Sequence, residues 1–317
     1  MTLLKFTALL ITLLLLGGCA ASRHPVTDGA KAETKAISFL EREVPAWSKL
    51  NGCFSCHNNG DGARALYYAA EKGHRVTAPA LAATTKWLSA PNSWDHNKGD
   101  PGFSDLRLAN VEFGASLSSA ISANVTRSKT ALAQAAARIA ADQDETGAWS
   151  IDRGNPVGSP ATYGTPLATY LAMRTLTEAD GYTQNIARAK SFLRTVRPNN
   201  TSTAATVLLA FPSDEEAQSK QALEFLLRTQ TTDGGWGPYR DSAPEVFDTA
   251  LALLALNGSS SDPSVKGAIE RGRAFLLHEQ LSDGSWPATT RPAGGQSYAQ
   301  QISTTAWALI ALLQTER

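Results

Sequence analysis

The chain has 317 residues, 43% of them hydrophobic, enough for one large domain or two small ones around a substantial core. Its 29 Lys and Arg balance 29 Asp and Glu without a basic run, which excludes an evident nucleic-acid surface. Three cysteines are too few for a disulfide scaffold.

The first element in chain order is an export signal. Lys5 gives a weak positive start, and Ala8–Leu16 is an apolar stretch too short to span a bilayer comfortably. Leu16-Gly17-Gly18-Cys19 follows and resembles the bacterial lipobox, whose small residues admit the signal peptidase and whose cysteine takes the lipid. The expected layout is a signal peptide over 1–18, a tether over 19–30 beginning at lipidated Cys19, and a folded domain over 31–317. Ala20 is not the aspartate that typically retains lipoproteins in the inner membrane. The expected address is therefore the cell envelope, anchored to the outer membrane and facing the periplasm. There disulfides persist and haem can be attached, and Cys53 and Cys56 are left as an isolated pair.

A first amphipathic helix is predicted over 31–43, ending near Trp47. Next comes "NGCFSCHNNG", residues 51–60, with Cys53, Cys56 and His57 in the C-x-x-C-H spacing of a c-type haem attachment site. Two thiols one short turn apart can each bond a porphyrin vinyl group, and the adjacent imidazole then reaches the iron. The same residues also suit a disulfide or thiol redox pair with His57 incidental, or a metal site completed by one more ligand. For a sixth iron ligand, His24 lies in the tether, and His74 is about 25 Å along a helix from His57 at ~1.5 Å per residue. Met173 sits deep in a later helix, and His278 ends an outer one. His96, just after Trp94, is the candidate, so haem c is expected on Cys53, Cys56, His57 and His96.

Beyond this motif two classes of helix alternate. Amphipathic helices are predicted over 31–43, 76–89, 128–142, 184–195, 215–229 and 263–279. Apolar or small-residue helices are predicted over 62–72, 106–122, 163–177, 201–211, 246–256 and 303–314, and a helix apolar all round must be buried. Six buried and six polar-faced helices in alternation make an all-α, (α/α)6 toroid. The turns repeat as well. "QDETGAW" (143–149), "QTTDGGW" (230–236) and "QLSDGSW" (280–286) each place Gly four and Trp six residues after Gln, with weaker copies ending at Trp47 and Trp94.

These segments resemble the QW motifs of the squalene–hopene cyclase and prenyltransferase superfamily, a likeness covering roughly residues 31–317. It implies the toroid, with Gly permitting the turn and Trp packing between neighbours. It also implies, for a cyclase, an acidic D-x-D-D-T-A signature. The best match is "EVFDTA", 245–250, where Asp248, Thr249 and Ala250 fit but Phe247 stands at the proton donor's position. A substitute acid built from Asp248, Tyr239 and Arg240 is the alternative, and cyclase activity is not expected. Prenyltransferases need a zinc set with cysteine, and no cysteine follows Cys56.

The function expected from sequence is therefore a membrane-anchored haem toroid acting in redox or electron transfer, with a partner protein. The alternatives are a haem-free toroid holding a small hydrophobic ligand, and a divergent terpenoid cyclase or transferase. The C-x-x-C-H segment is placed on the rim carrying the QW turns, which is expected to open into the central cavity.

Overall fold

The computed structural model describes residues 27–96, 105–151, 164–212, 217–259, 261–288 and 297–316. The signal peptide, Cys19 and His24 lie outside them, as does the side chain of His96.

All twelve expected helices are present. The outer set is α1 (Thr27–Asn51), α3 (Ala78–Leu88), α5 (Lys129–Ala141), α7 (Thr183–Thr195), α9 (Ala217–Thr229) and α11 (Pro263–Glu279). The inner set is α2 (Ala63–Glu71), α4 (Leu106–Ser122), α6 (Gly164–Ala179), α8 (Thr201–Ala210), α10 (Val246–Asn257) and α12 (Tyr298–Thr315). Each inner helix packs on the next, and α12 returns to α2, so the inner ring closes. Among the described residues there is no strand, only an isolated bridge between Trp236 and Glu245. The fold is the (α/α)6 toroid.

Local signals set the helix starts. Asp105 and Ser128 accept the Leu108 and Ala131 N–H groups, while Asn200 and Ser297 form capping boxes with Thr203 and Gln300. The composition of α10 shows why the inner set is inside, since every residue from Val246 to Leu256 is buried.

The three QW turns are built alike. Trp149, Trp236 and Trp286 are fully buried, and each indole N–H donates to the carbonyl ten residues back: Ile139 at 2.6 Å, Leu226 at 2.7 Å and Leu276 at 2.7 Å. Each Gln side chain donates to the Gly carbonyl of its own turn and to the following outer helix, at Asn185, Ala268 and Ala32. Gly147, Gly234 and Gly284 have φ of 90°, 89° and 95°. A Cβ on Gly147 would come 2.5 Å from the Arg188 carbonyl oxygen, and one on Gly234 2.6 Å from that of Arg271, so backbone angle and close approach both demand glycine. Through Gln280 and Ala32 the last turn grips the first helix.

The two weaker copies differ. Trp94 donates to Trp87, seven residues back and at 3.3 Å. Trp47 lies within α1 instead of ending it, and its indole N–H is buried without a hydrogen-bond partner. Neither is preceded by the Gln that ties a true turn to the next outer helix.

The first inner helix also starts earlier than the pattern predicts. Cys56–Gly62 form a π-helical turn that runs into α2, so Cys56 and His57 are helical and not on a connection. Ser55 caps it, accepting from Asn58 N at 3.0 Å. Asn58 donates to the Glu43 carbonyl and the Tyr298 hydroxyl, and Asn59 to the Val44 carbonyl and Thr84. These two asparagines fix the segment to α1, α3 and α12.

Candidate functional site

The inner helices enclose a cavity of about 260 Å³. Its walls come mostly from the second half of each inner helix: Tyr68 of α2, Ser119 of α4, Arg174 of α6, Leu209 of α8, Leu254 of α10 and Trp307 of α12. The QW turns precede the first halves of those helices. The cavity therefore lies towards the opposite rim, and the expectation that the QW rim opens into it is corrected. Side-chain size contributes on α4, where Ala115, Ser118, Ser119 and Ser122 line the cavity and leave space there.

Around the cavity are ionic and aromatic groups. Arg174 bonds the Tyr170 hydroxyl at 3.3 Å and Glu178 at 3.5 Å. Arg64 lines the inner end, lies 4.2 Å from the Trp307 ring centroid, and donates to Asp61 at 3.1 Å. Behind Arg64 sits a polar cluster that sequence patterning did not single out. Glu112, one turn before Ala115 on α4, is fully enclosed, and apart from the Cys56 thiol its carboxylate oxygens have no hydrogen-bond partner. Burial first, and the Asp61 charge second, hold its carboxyl well above the ordinary 4.5, against the pull of Arg64. The Cys56 thiol lies beside it and is pushed up by burial and by the Glu112 and Asp61 charges. A signal for this cluster existed: "LANVEFGAS" places one carboxylate on a helix apolar or small all round, and a buried charge needs a reason.

The other motif residues are nearby but face elsewhere. Cys53 and Cys56 are free thiols, not a disulfide. His57 is buried, its ring edge-on to Trp47 at 5.0 Å and to Tyr298 at 6.2 Å, and its Nε2 has no hydrogen-bond partner. Burial lowers its pKa to about 4, so the imidazole is neutral, the form that ligates iron. Haem attachment also needs both thiols and the imidazole on one open face. Here Cys53 is buried, Cys56 turns to Glu112, and none of the three lines the cavity, so this packing does not fit a porphyrin. His96 ends a 3-10 turn, Pro91–His96. Met173 is buried in α6, and His278 is exposed beside Glu279 at 2.9 Å.

The letters of "EVFDTA" have a structural role. Thr249 Oγ1 accepts the Trp236 N–H at 2.9 Å, the same bond that Thr169 and Thr305 make to Trp149 and Trp286, each at 3.1 Å. Phe247 packs edge-on to Trp307 at 5.9 Å. Asp248 is buried, whereas Tyr239 and Arg240 are exposed, so the substitute acid expected as an alternative is not assembled.

Residues 201–317 match the squalene-hopene cyclase C-terminal domain. Lanosterol synthase of Saccharomyces cerevisiae is 32% identical over 100 residues, covering 30% of this chain and 13% of that protein. Drimenyl diphosphate synthase of Streptantibioticus cattleyicolor is 32% identical over 75 residues, covering 24% and 14%. The chain thus spans under a fifth of the length of these relatives. The type II terpene cyclase MstE from Scytonema superposes with a TM-score of 0.60 at 16% identity, covering 92% of this chain and 99% of that one. A glycosidase superposes equally, at 0.60 and 12% identity over 92% and 98%. Cyclase and glycosidase share this architecture, so the chemistry has to be argued from the site.

Proposed function

We propose that this chain is a divergent toroid of the terpenoid-cyclase type that holds a short isoprenoid-class chain in its central cavity, with Glu112 as its acid. The observation carrying this is the pairing of a cavity that sets aromatic and aliphatic wall beside Arg64, Arg174 and Glu178 with a buried carboxyl, its pKa raised by burial, one helical turn beyond the inner end. Leu171, Leu209, Leu254 and Ile310 supply apolar wall, and Tyr68, Tyr170 and Trp307 supply π faces that favour a developing cation. Arg64, paired with Asp61, lies between acid and cavity, so proton transfer from Glu112 to a bound chain requires Arg64 to move aside. Ligand pockets run roughly 300–1,000 Å³, and the smaller volume here favours one short prenyl chain over a triterpene. Among the relatives' names, two are drimenyl diphosphate synthases and MstE is described with geranylgeranyl dihydroxybenzoate, while two others are lanosterol synthases and one structural match is a glycosidase.

The test is incubation of pure protein with farnesyl and geranylgeranyl substrates, with products separated by gas chromatography and mass. Cyclised product is expected from wild type and from Asp248→Asn. Glu112→Gln should lose it by ~100-fold or more while still binding substrate. Product that survives Glu112→Gln would remove the acid from the proposal.

A second proposal rests on His57 Nε2, buried and without a hydrogen-bond partner in a C-x-x-C-H segment. Haem c on Cys53 and Cys56 would serve redox transfer to a partner protein, and would require this segment to pack differently. Lipidation of Cys19 would tether either form to the cell envelope; no described helix is long and apolar enough to cross a membrane. One intact mass of protein made in an exporting host reads both additions. An unmodified mass at 53–57 eliminates haem, and an unacylated amino-terminal peptide eliminates the anchor.

A further inference from the structure

The seam where the ring closes carries a set of groups that the cavity does not use. Glu33 of α1, His74 just past α2 and Glu316 just past α12 come from three separate stretches of chain. One ligand atom from each lies within 4.8 Å of the other two. Glu33 is fully buried, and neither of its carboxylate oxygens has a hydrogen-bond partner. His74 Nε2 stands 3.9 Å from Glu33 Oε2, beyond hydrogen-bond reach. Arg273, the cation that acts on Glu33, donates to the Leu312 carbonyl and to Thr315 Oγ1. Burial, and then the charge of Glu316, push Glu33 up to about 7.

A buried carboxylate with two open oxygens is costly unless something compensates it. A simple ion pair would draw His74 and Glu33 to hydrogen-bond distance. Instead the three groups surround a common point, and the side is open to water through exposed Glu316 and partly exposed His74. Tetrahedral zinc with nitrogen and oxygen ligands at ~2.0–2.1 Å spaces its ligand atoms about 3.4 Å apart, which this set reaches by side-chain shifts of about an ångström.

We propose that Glu33, His74 and Glu316 bind one divalent first-row transition cation, with water completing the coordination, and that the ion pins the end of α12 to α1 across the seam. One imidazole with two carboxylates suits zinc by ligand type. The ion is a staple and takes no part in chemistry at the cavity: it ties the carboxyl-terminal ends of two inner helices to the first outer one. The Gln280–Ala32 hydrogen bond ties the same seam from the last turn.

The test uses the full mature chain, stripped with a chelator and titrated with Zn²⁺ alone. One equivalent should bind, and the unfolding midpoint should rise by about 4 °C at a hundredfold excess over Kd. Glu33→Gln and the surface variant Glu316→Gln should each abolish the rise, and His278→Ala should keep it. Co²⁺ should give a spectrum without sulfur-to-metal charge transfer. A midpoint indifferent to zinc, a rise that survives both glutamine variants, or a sulfur band placing the ion at Cys53 and Cys56 would each overturn the proposal.

Discussion

A carboxyl enclosed like Glu112 takes the form that costs least, the neutral acid, because burial penalises charge and Asp61 adds a like charge beside it. The sign of its effect on stability follows. Its folded-state pKa is raised, so the contribution of the neutral form is fully present below the ordinary 4.5 and is lost as pH rises through the folded value. Glutamine keeps the shape and cannot ionise. Glu112→Gln should therefore be more stable than wild type at pH 8, with the gap closing at pH 4, read as urea midpoints at the two pH values. A gap that is constant with pH would mean Glu112 is ionised throughout or not buried. If the same variant also loses turnover, the site trades stability for an acid, as catalytic carboxyls do. Glu112 was findable from its sequence context, an acid on a buried helix. Glu33 was not: on amphipathic α1 an acid reads as surface, and only ring closure puts it inside.

At the scale of the element, each QW turn is one device used three times. Tryptophan fills the wedge, its N–H answers a helix carbonyl, and glutamine and glycine dock the turn on the next outer helix. Trp236→Phe and Trp286→Phe each remove the same buried hydrogen bond and some volume, so each should cost about 2–4 kcal/mol, equal within ~1 kcal/mol. Trp94→Phe should cost less, because its 3.3 Å bond stays local, to Trp87. Urea unfolding of the three variants checks this; a Trp94 loss as large as the others would make it a full copy after all. Helix class and turn position were legible because period and composition report burial directly. The π-turn at Cys56–Gly62 was not, since nothing in the apolar period distinguishes a widened turn from a connection. What distinguishes it is the bonding of Asn58 and Asn59 to α1, α3 and α12, which is long-range.

For the whole molecule, alternation of helix classes explains the ring, but not where its hole lies. That depends on which side chains face the ring axis, such as Ser118, Ser119 and Ser122 of α4, and these bound a cavity only when six helices face one another. The same geometry separates the C-x-x-C-H segment from the cavity wall, with Arg64 and Glu112 between them. The central claim is that this cavity binds a short prenyl chain. The direct measurement is equilibrium binding of farnesol to wild type and to Ser119→Trp, whose indole would fill the space from a partly exposed wall position. Saturable one-to-one binding is expected for wild type, weakened about 100-fold or more in Ser119→Trp with folding unchanged. Equal affinity in the two proteins, or no saturable binding to either, would contradict it.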